Sequence, residues 1–412
     1  MKQSGVTTNS KGRLSEGNRS VSSQFELLAP AGDFSMLAAA VNAGADAVYF
    51  GLKEFSMRAN AGNFTIKDLD EIANICKSKG VKRYLTLNTI IYNNELKKLE
   101  EIIKKVKGKI DAVICWDFAV INLCKKYQIP FFISTQASVS NIQSAKFYKS
   151  IGAKRIVLAR ELNLKQIKEI SKIIDVETFC HGAMCVAVSG RCFTSQFLFN
   201  KSANRGECLH PCRRSYIVKD EEGNELKINN SKIFSAKDLC TLPFIEKMKK
   251  AGIKSFKIEG RNRDARYADA VVRIYRKALD KKLNKKEIAE GIKELEKIYN
   301  KGYSSGFYLK TPTADDFAKI EHNASHEKKH FVGKVIHYFD NVGVAAVKLV
   351  SELNVGDKIS VIGNTTGIVH SEIKSIEINR KSFEKGKKGQ EIGIKLPRVR
   401  KNDEVYVIIK SK

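Results

Sequence analysis

Nowhere in these 412 residues does an apolar run approach the eighteen or so residues that a membrane-crossing helix requires. The N-terminal stretch MKQSGVTTNSKGRLSEGNRSVSSQ has no apolar centre of the kind a secretory signal needs. The expected setting is therefore cytoplasmic, with no membrane partner, behind a disordered polar leader over residues 1–24. Carboxylates are scarce: 45 Asp and Glu stand against 73 Lys and Arg, a formal charge of +28. Such a field disfavours acidic partners and attracts polyanions, RNA or DNA, although a lysine-rich decoration of solvated surface gives the same total. The nine cysteines contain no C-x2-C pair of the zinc-ribbon or thioredoxin type, and a chain of this length has no need of a disulfide framework. Neither H-E-x-x-H nor a credible serine triad is present.

What the chain does contain is alternation. Short apolar or β-branched runs recur from Phe25: FELLAP, DAVYFG, YLTLNT, AVICW, FFISTQ, RIVLAR, ETFCHG and SFKIEG. Between them lie segments such as NELKKLEEIIKKV and LNLKQIKEISKII, apolar at helical spacing. Eight strands alternating with helices predict an α/β fold, a closed (β/α)8 TIM-like barrel over residues 25–320 with its chemistry at the carboxyl ends of the strands. After a polar run, Glu321 to His330, short strands and glycine turns over 331–412 predict a small C-terminal all-β barrel.

Six cysteines fall between Cys180 and Cys240, in an insertion of roughly fifty residues, about 181–234, following the seventh strand. Their spacing is Cys180-x4-Cys185-x6-Cys192-x15-Cys208-x3-Cys212-x27-Cys240, set among Gly, Ser, Asn and charged residues that offer little core to join. Soft thiolates suit an iron–sulfur cluster best, with zinc and plain packing as alternatives, and spacing does not choose four ligands from six. His181, directly after the strand, is a candidate proton shuttle, a ligand or a structural histidine. Cys76, Cys115 and Cys124, in apolar segments, read as small core hydrophobes.

Anion-binding features lie nearby. The eighth strand ends in Glu259-Gly260-Arg261 before a helix, where a glycine, helix N-terminal amides and a guanidinium fork suit carboxylate or phosphate; the alternative is an ion pair between Glu259 and a neighbouring arginine. On the insertion Lys201, Arg205, His210, Arg213 and Arg214 are interleaved with Phe197, Phe199 and Tyr216, as contact with a nucleic-acid backbone and unstacked bases would require. Asp33, Arg58, Asn60 and Thr135-Gln136, at the ends of earlier strands, are weaker candidates. Gly302-Tyr-Ser304-Ser-Gly306 matches the serine-hydrolase G-x-S-x-G pattern but lacks its strand and helix, so it reads as a loop.

ELLAPAGD, GADAVYFG, FSMRANAGNF, STQASVSN, RIVLARELNL, FCHGAMCVAVSGRC, SAKDLC and FKIEGR together resemble the collagenase-like peptidase family U thirty-two, over nearly everything from Phe25 to the C-terminus. Members of that family act as hydroxylases on tRNA wobble uridine, on a ribosomal RNA cytidine, or in oxygen-independent ubiquinone synthesis. The subgroup most similar in length and arrangement is the tRNA 5-hydroxyuridine hydroxylases, which depend on prephenate and an iron–sulfur cluster. The resemblance implies a 4Fe–4S cluster on Cys185, Cys192, Cys208 and Cys240, with Cys180 and Cys212 as neighbours. It also implies tRNA as partner, Arg261 as the site of prephenate or phosphate, and His181 and Glu259 as proton carriers. Two rivals stand beside this reading: a collagenase-like peptidase with a Cys180–His181 nucleophile, and a non-catalytic RNA-binding partner of another hydroxylase.

Overall fold

The structure, a computed structural model, describes residues 24–59, 61–214, 216–217, 219–225, 234–320 and 323–411. The expected leader lies outside the described residues except for its last position, and Asn60 lies outside them too. Ten strands belong to the first layer of the fold: β1 (Glu26–Pro30), β2 (Ala47–Gly51), β3 (Lys82–Thr86), β4 (Ala112–Cys115), β5 (Phe131–Ile133), β6 (Arg155–Val157), β7 (Val176–Gly182), β8 (Asp238–Cys240), β9 (Ser255–Ile258) and β10 (Tyr303–Ser304). Strands β1 to β7 pair in parallel, each with the next. Ser255 of β9 then meets Glu26 on one side and Glu177 on the other, which closes an eight-stranded parallel barrel. All eight apolar runs of the sequence are its staves. β8 stands outside the ring, antiparallel to β7 through His181↔Cys240 and parallel to β10.

The helices are α1 (Phe34–Ala43), α2 (Leu69–Lys77), α3 (Leu96–Val106), α4 (Phe118–Lys126), α5 (Ile142–Ser150), α6 (Leu164–Ile170), α7 (Thr194–Phe199), α8 (Ile245–Lys250), α9 (Ala265–Asp280) and α10 (Lys285–Glu296). α3 shows why they form: Leu99, Ile102, Ile103 and Val106 recur at helical spacing and are the residues it buries. Several begin on a capping side chain, Asn163 and Asn284 within capping boxes and Asp264 for α9. Asp33 belongs here as well. Its Oδ1 accepts from the Met36 amide at 2.8 Å as the N-cap of α1, so the structure uses it to start a helix and places it on neither cavity described below.

At the amino end of the barrel the interior is charged. Glu177 is fully buried, with Arg155 Nη1 at 3.2 Å and Lys257 Nζ at 2.9 Å, and Arg155 also pairs with Glu26.

Beyond residue 326 the chain is all β: β11 (Glu327–Phe339), β12 (Val344–Leu349), β13 (Leu353–Asn354), β14 (Lys358–Gly363), β15 (Gly367–Glu372), β16 (Ile376–Ile378), β17 (Lys381–Phe383), β18 (Lys385–Gly386), β19 (Glu391–Lys395) and β20 (Glu404–Lys410). Eight of these form one antiparallel sheet ordered β15-β14-β20-β11-β12-β19-β16-β17 around its own apolar core. Among the described residues its end strands do not pair with each other, so the expected small barrel is an open ladder. Its β15 edge lies on α1. There Gly367, at φ 71°, has no room for a side chain, since a Cβ would stand 2.7 Å from the Ala39 amide nitrogen.

Candidate functional site

The carboxyl ends of the barrel strands surround a small cavity of about 80 Å³, lined among others by Tyr49, Asn88, Gln136, Phe179 and Lys257. Gln136 is buried and donates to the Asn88 carbonyl at 3.3 Å. The cavity also takes in Cys185 from the insertion. A second cavity of about 390 Å³ lies beside it, under the insertion, lined by Arg213, Arg214, Arg263 and Lys301 among others. Arg58 and Glu259 line both.

Those two residues are an ion pair at 3.2 Å, which is the alternative the sequence left open for Glu259. Burial by itself raises the Glu259 carboxyl, but Arg58 foremost, with Arg160, Arg261 and Lys257, draws it down to about 2. A carboxylate held ionised this firmly works as a fixed charge and is a poor proton carrier near neutral pH. Arg261, expected to hold an anion, is 4% exposed and already committed. Its Nη1 donates to Ser56 Oγ at 2.9 Å and Thr86 Oγ1 at 3.2 Å, and its Nη2 to the Met57 carbonyl, so it braces the loop after β2. Gly260 lines the second cavity, and a side chain there would strike the Tyr267 ring at 2.6 Å.

The insertion is fastened onto the barrel at several points, among them Arg191, whose Nη2 donates to the Gln136 carbonyl at 3.1 Å. Arg205 donates to Glu95 Oε2 at 2.9 Å and stacks 4.7 Å from the centre of Tyr92, so it holds the insertion down and does not offer itself to a partner. Gly206 accepts from the Ala59 amide at 3.0 Å, with its α-carbon face against the backbone of Ser56, Arg58 and Ala59. Arg213 and Arg214 do reach the second cavity, as expected of anion-binding groups. His210 joins them, pushed down to about 4 by burial and then by Arg213, Arg58, Arg263 and Lys301. Outward, the insertion exposes Phe193 at 64% and Phe197 at 86%, with Tyr216 and Lys201 also exposed.

The cysteines divide into two groups. Cys212 is half-buried; its thiol is pushed up by burial and, against the pull of Arg213, by the neighbouring Cys185, Cys208 and Cys192. Cys240 is elsewhere, buried in β8 with its sulfur 3.7 Å from the Tyr275 hydroxyl and Cys180 as the thiol beside it. Among the described residues no three His, Cys, Asp or Glu side chains meet closely enough to hold a metal ion. Neither the expected set Cys185, Cys192, Cys208 and Cys240 nor any other three of these thiols stands within metal-binding reach in this structure, and Cys240 lies buried in β8. Cys185, Cys192 and Cys208 are the thiols that act on Cys212, and soft thiols are the donor type an iron–sulfur centre takes.

His181 is 1% exposed and packed among the rings of Tyr267, Tyr275 and Tyr303. Burial pushes it down to about 3, and it lines neither cavity, so its place is structural. Cys180 is equally buried and its thiol is pushed up by burial, which leaves the proposed Cys180–His181 nucleophile without access to a peptide. Ser304 lies in β10, a two-residue strand beside β8, and accepts from the Gly306 amide. A serine–histidine–aspartate chain does exist where β14, β15 and α9 meet: Ser360 Oγ is 2.9 Å from His370 Nδ1, and His370 Nε2 is 3.3 Å from Asp269. Ser360 is fully buried, so this chain joins the sheet to the barrel and offers no nucleophile.

The sequence reading missed Arg263, Lys301, Asn88 and Arg160. Arg263 stood in view within KIEGRNRDAR; Lys301 arrives from a distant segment through the β8–β10 pairing and has no local signal. A family model described as "Peptidase family U32" matches residues 32–317. The chain is 42% identical to a protein of Methanocaldococcus jannaschii named as an uncharacterized protease, over 93% of this chain and 98% of that one. It is 40% identical to a collagenase of Porphyromonas gingivalis, over 93% and 97%. It is also 34% identical to tRNA hydroxylation protein P1 of Bacillus subtilis, over 84% and 85%.

Proposed function

Since the chain belongs to peptidase family U32, we propose, from the chemistry of its site, that it is an RNA-modifying enzyme that hydroxylates the wobble uridine of tRNA to 5-hydroxyuridine. The observation that carries this reading is the company the barrel cavity keeps: a cationic chamber at its side and exposed aromatic rings on the insertion that borders it. A base extruded from a stem-loop needs both, aromatic faces for its neighbours to stack on and cations for its backbone. The relative named for tRNA hydroxylation supports the same substrate class. Asn88, whose Oδ1 accepts from the Met57 amide, brings its Nδ2 to the cavity wall, a donor of the kind that reads a pyrimidine edge.

A 4Fe–4S cluster and prephenate complete the proposal. The thiolates of Cys185, Cys192 and Cys208, with Cys240 or Cys212 as the fourth, would hold the cluster, which when bound supplies one-electron chemistry beside the cavity that Cys185 lines. The protein's own residues bind and orient: Arg58 is fixed by Glu259, and Glu259 stays ionised near neutral pH. The Cys180–His181 pair that the peptidase reading names is fully buried and has no access to a peptide.

The test is nucleoside analysis of tRNA from a deletion strain carrying either the wild-type gene or Cys192→Ala. Loss of 5-hydroxyuridine that only the wild-type gene restores, and that fails when prephenate supply is removed, is the expected result. An unchanged nucleoside profile in the deletion strain overturns the proposal.

A further inference from the structure

Two exposed rings stand together on the rim of the barrel, away from those of the insertion. Tyr92, in the loop after β3, is 53% exposed, and Phe118, the first residue of α4, is 60% exposed. A single exposed ring is ordinary on a protein surface. These two are held as a pair. Asp117 Oδ1 caps α4 through the Ala119 amide at 2.8 Å, and its Oδ2 accepts from the Ile91 amide at 3.2 Å, so one carboxylate fixes both loops next to their rings. The helix seats itself on Val120, Ile121 and Cys124, so burial does not account for a phenylalanine in its first turn.

The same rim reaches the barrel cavity through Trp116, the chain's one tryptophan. Its indole Nε1 donates at 3.0 Å to the Asn88 carbonyl, which also accepts from Gln136 Nε2, and Asn88 and Gln136 both line the cavity. The insertion supplies the charge. The guanidinium of Arg191 lies 5.5 Å from the centre of the Trp116 ring with its Nη2 on the Gln136 carbonyl, and among the described residues no carboxylate pairs with it. Arg205 in turn lies over Tyr92 and stiffens it. Rings with guanidinium groups beside them suit consecutive unpaired bases, whose faces stack while their phosphates meet the cations. A chain of formal charge +28 favours that polyanion over an acid-poor protein surface.

We propose that Phe118 and Tyr92 form a stacking platform for the unpaired nucleotides that flank the base in the barrel cavity, with Arg191 on their phosphates. The inference rests on the RNA-modifying reading and adds to it a path for the strand, from the cavity wall at Trp116 out over the loops after β3 and β4.

The experiment is fluorescence anisotropy of the full chain with an end-labelled single-stranded RNA of about eight nucleotides and with the same RNA annealed to its complement. A parallel titration with unlabelled RNA follows the emission of Trp116. Expected is saturable binding of the single strand at low salt with a Kd of about 10 μM or tighter, the duplex about tenfold weaker, and a change in Trp116 emission along the same curve. Phe118→Ala should weaken single-strand binding by about fivefold or more, and Phe118→Tyr should restore it. Phe147→Ala, which removes a ring 52% exposed on α5, should leave binding unchanged. The proposal is overturned by wild-type binding in Phe118→Ala, by an equal loss in Phe147→Ala, by a duplex held as tightly as the single strand, or by binding that leaves Trp116 emission unmoved. Absence of saturable binding by the wild type up to about 100 μM overturns it as well. The hydroxylation reading fails separately, on the nucleoside profile of the deletion strain, so a lost platform with that profile intact leaves the enzyme standing with its strand held elsewhere.

Discussion

Arg58 Nη2 and Glu259 Oε1 meet at 3.2 Å from positions 201 residues apart, and the pair is the wall that the two chambers share. Arg58 holds a left-handed backbone at φ 69°, a conformation that costs energy in a residue bearing a Cβ. The insertion helps to impose it, because Gly206 lies close enough that a Cβ would stand 3.2 Å from the Arg58 amide nitrogen. The cysteine-bearing loop therefore sets the side chain at the centre of the site.

The acid limb of stability should report this pair. Burial raises Glu259 but Arg58 and its fellow cations prevail, leaving a folded value of about 2, below the roughly 4.3 of an unfolded glutamate. Its contribution is complete above about pH 4.3 and is lost as pH falls towards about 2. Urea unfolding across that window should show a loss of stability in the wild type that is reduced in Glu259→Gln; equal slopes would remove Glu259 as the titrating group.

His181 gives a separate window. Burial depresses it to about 3 from about 6.5, so the stability it confers is present above about pH 6.5 and declines as pH falls towards about 3. Replacing it with phenylalanine, which suits the surrounding tyrosine rings, should flatten that decline and leave the proposed RNA hydroxylation at neutral pH nearly intact. A loss of turnover of about a hundredfold or more in a folded His181→Phe protein would return the residue to the chemistry.

The two cysteine sets predict opposite metal contents. Cys212→Ser should lower iron and sulfide after anaerobic purification and bleach the brown absorbance, while Cys240→Ala should retain both and lose only stability, by about 1–3 kcal/mol from the cavity left in the core. Retention of the cluster in Cys212→Ser together with its loss in Cys240→Ala would restore Cys240 as the fourth ligand.

The charged layer at the amino end of the barrel should be costly to break. Glu177→Leu leaves Arg155 and Lys257 buried without a common partner and is expected to destabilise by about 3–5 kcal/mol in urea unfolding. A change below about 1 kcal/mol would mean that Glu26 alone compensates both cations.

The barrel was legible because each stave is a short apolar run bounded by a helical segment, from FELLAP to SFKIEG, and periodicity is a local signal. The site was legible only where its groups were local as well. Cys185, Cys192 and Cys208 stood out by density, and Arg213 and Arg214 by their place on the insertion. Cys240 is drawn into the core by strand pairing, which no spacing records, while Cys212 stays among the thiols of the insertion. Asp33 and Arg261 carry roles that no spacing records, since a polar side chain at a strand end serves a helix cap or a loop brace as readily as a ligand. Lys301 carried no signal at all.

The seat of β15 on α1 orders events during synthesis. Asn42 Nδ2 donates to the Thr366 carbonyl at 3.4 Å across 324 positions, and Gly367 lies against the backbone of Ala38 and Ala39. α1 thus leaves the ribosome 324 positions ahead of the strand that covers it, and at ordinary elongation rates its outer face waits roughly tens of seconds for that cover. Any product that stops short of Thr366 keeps this face of α1 in water.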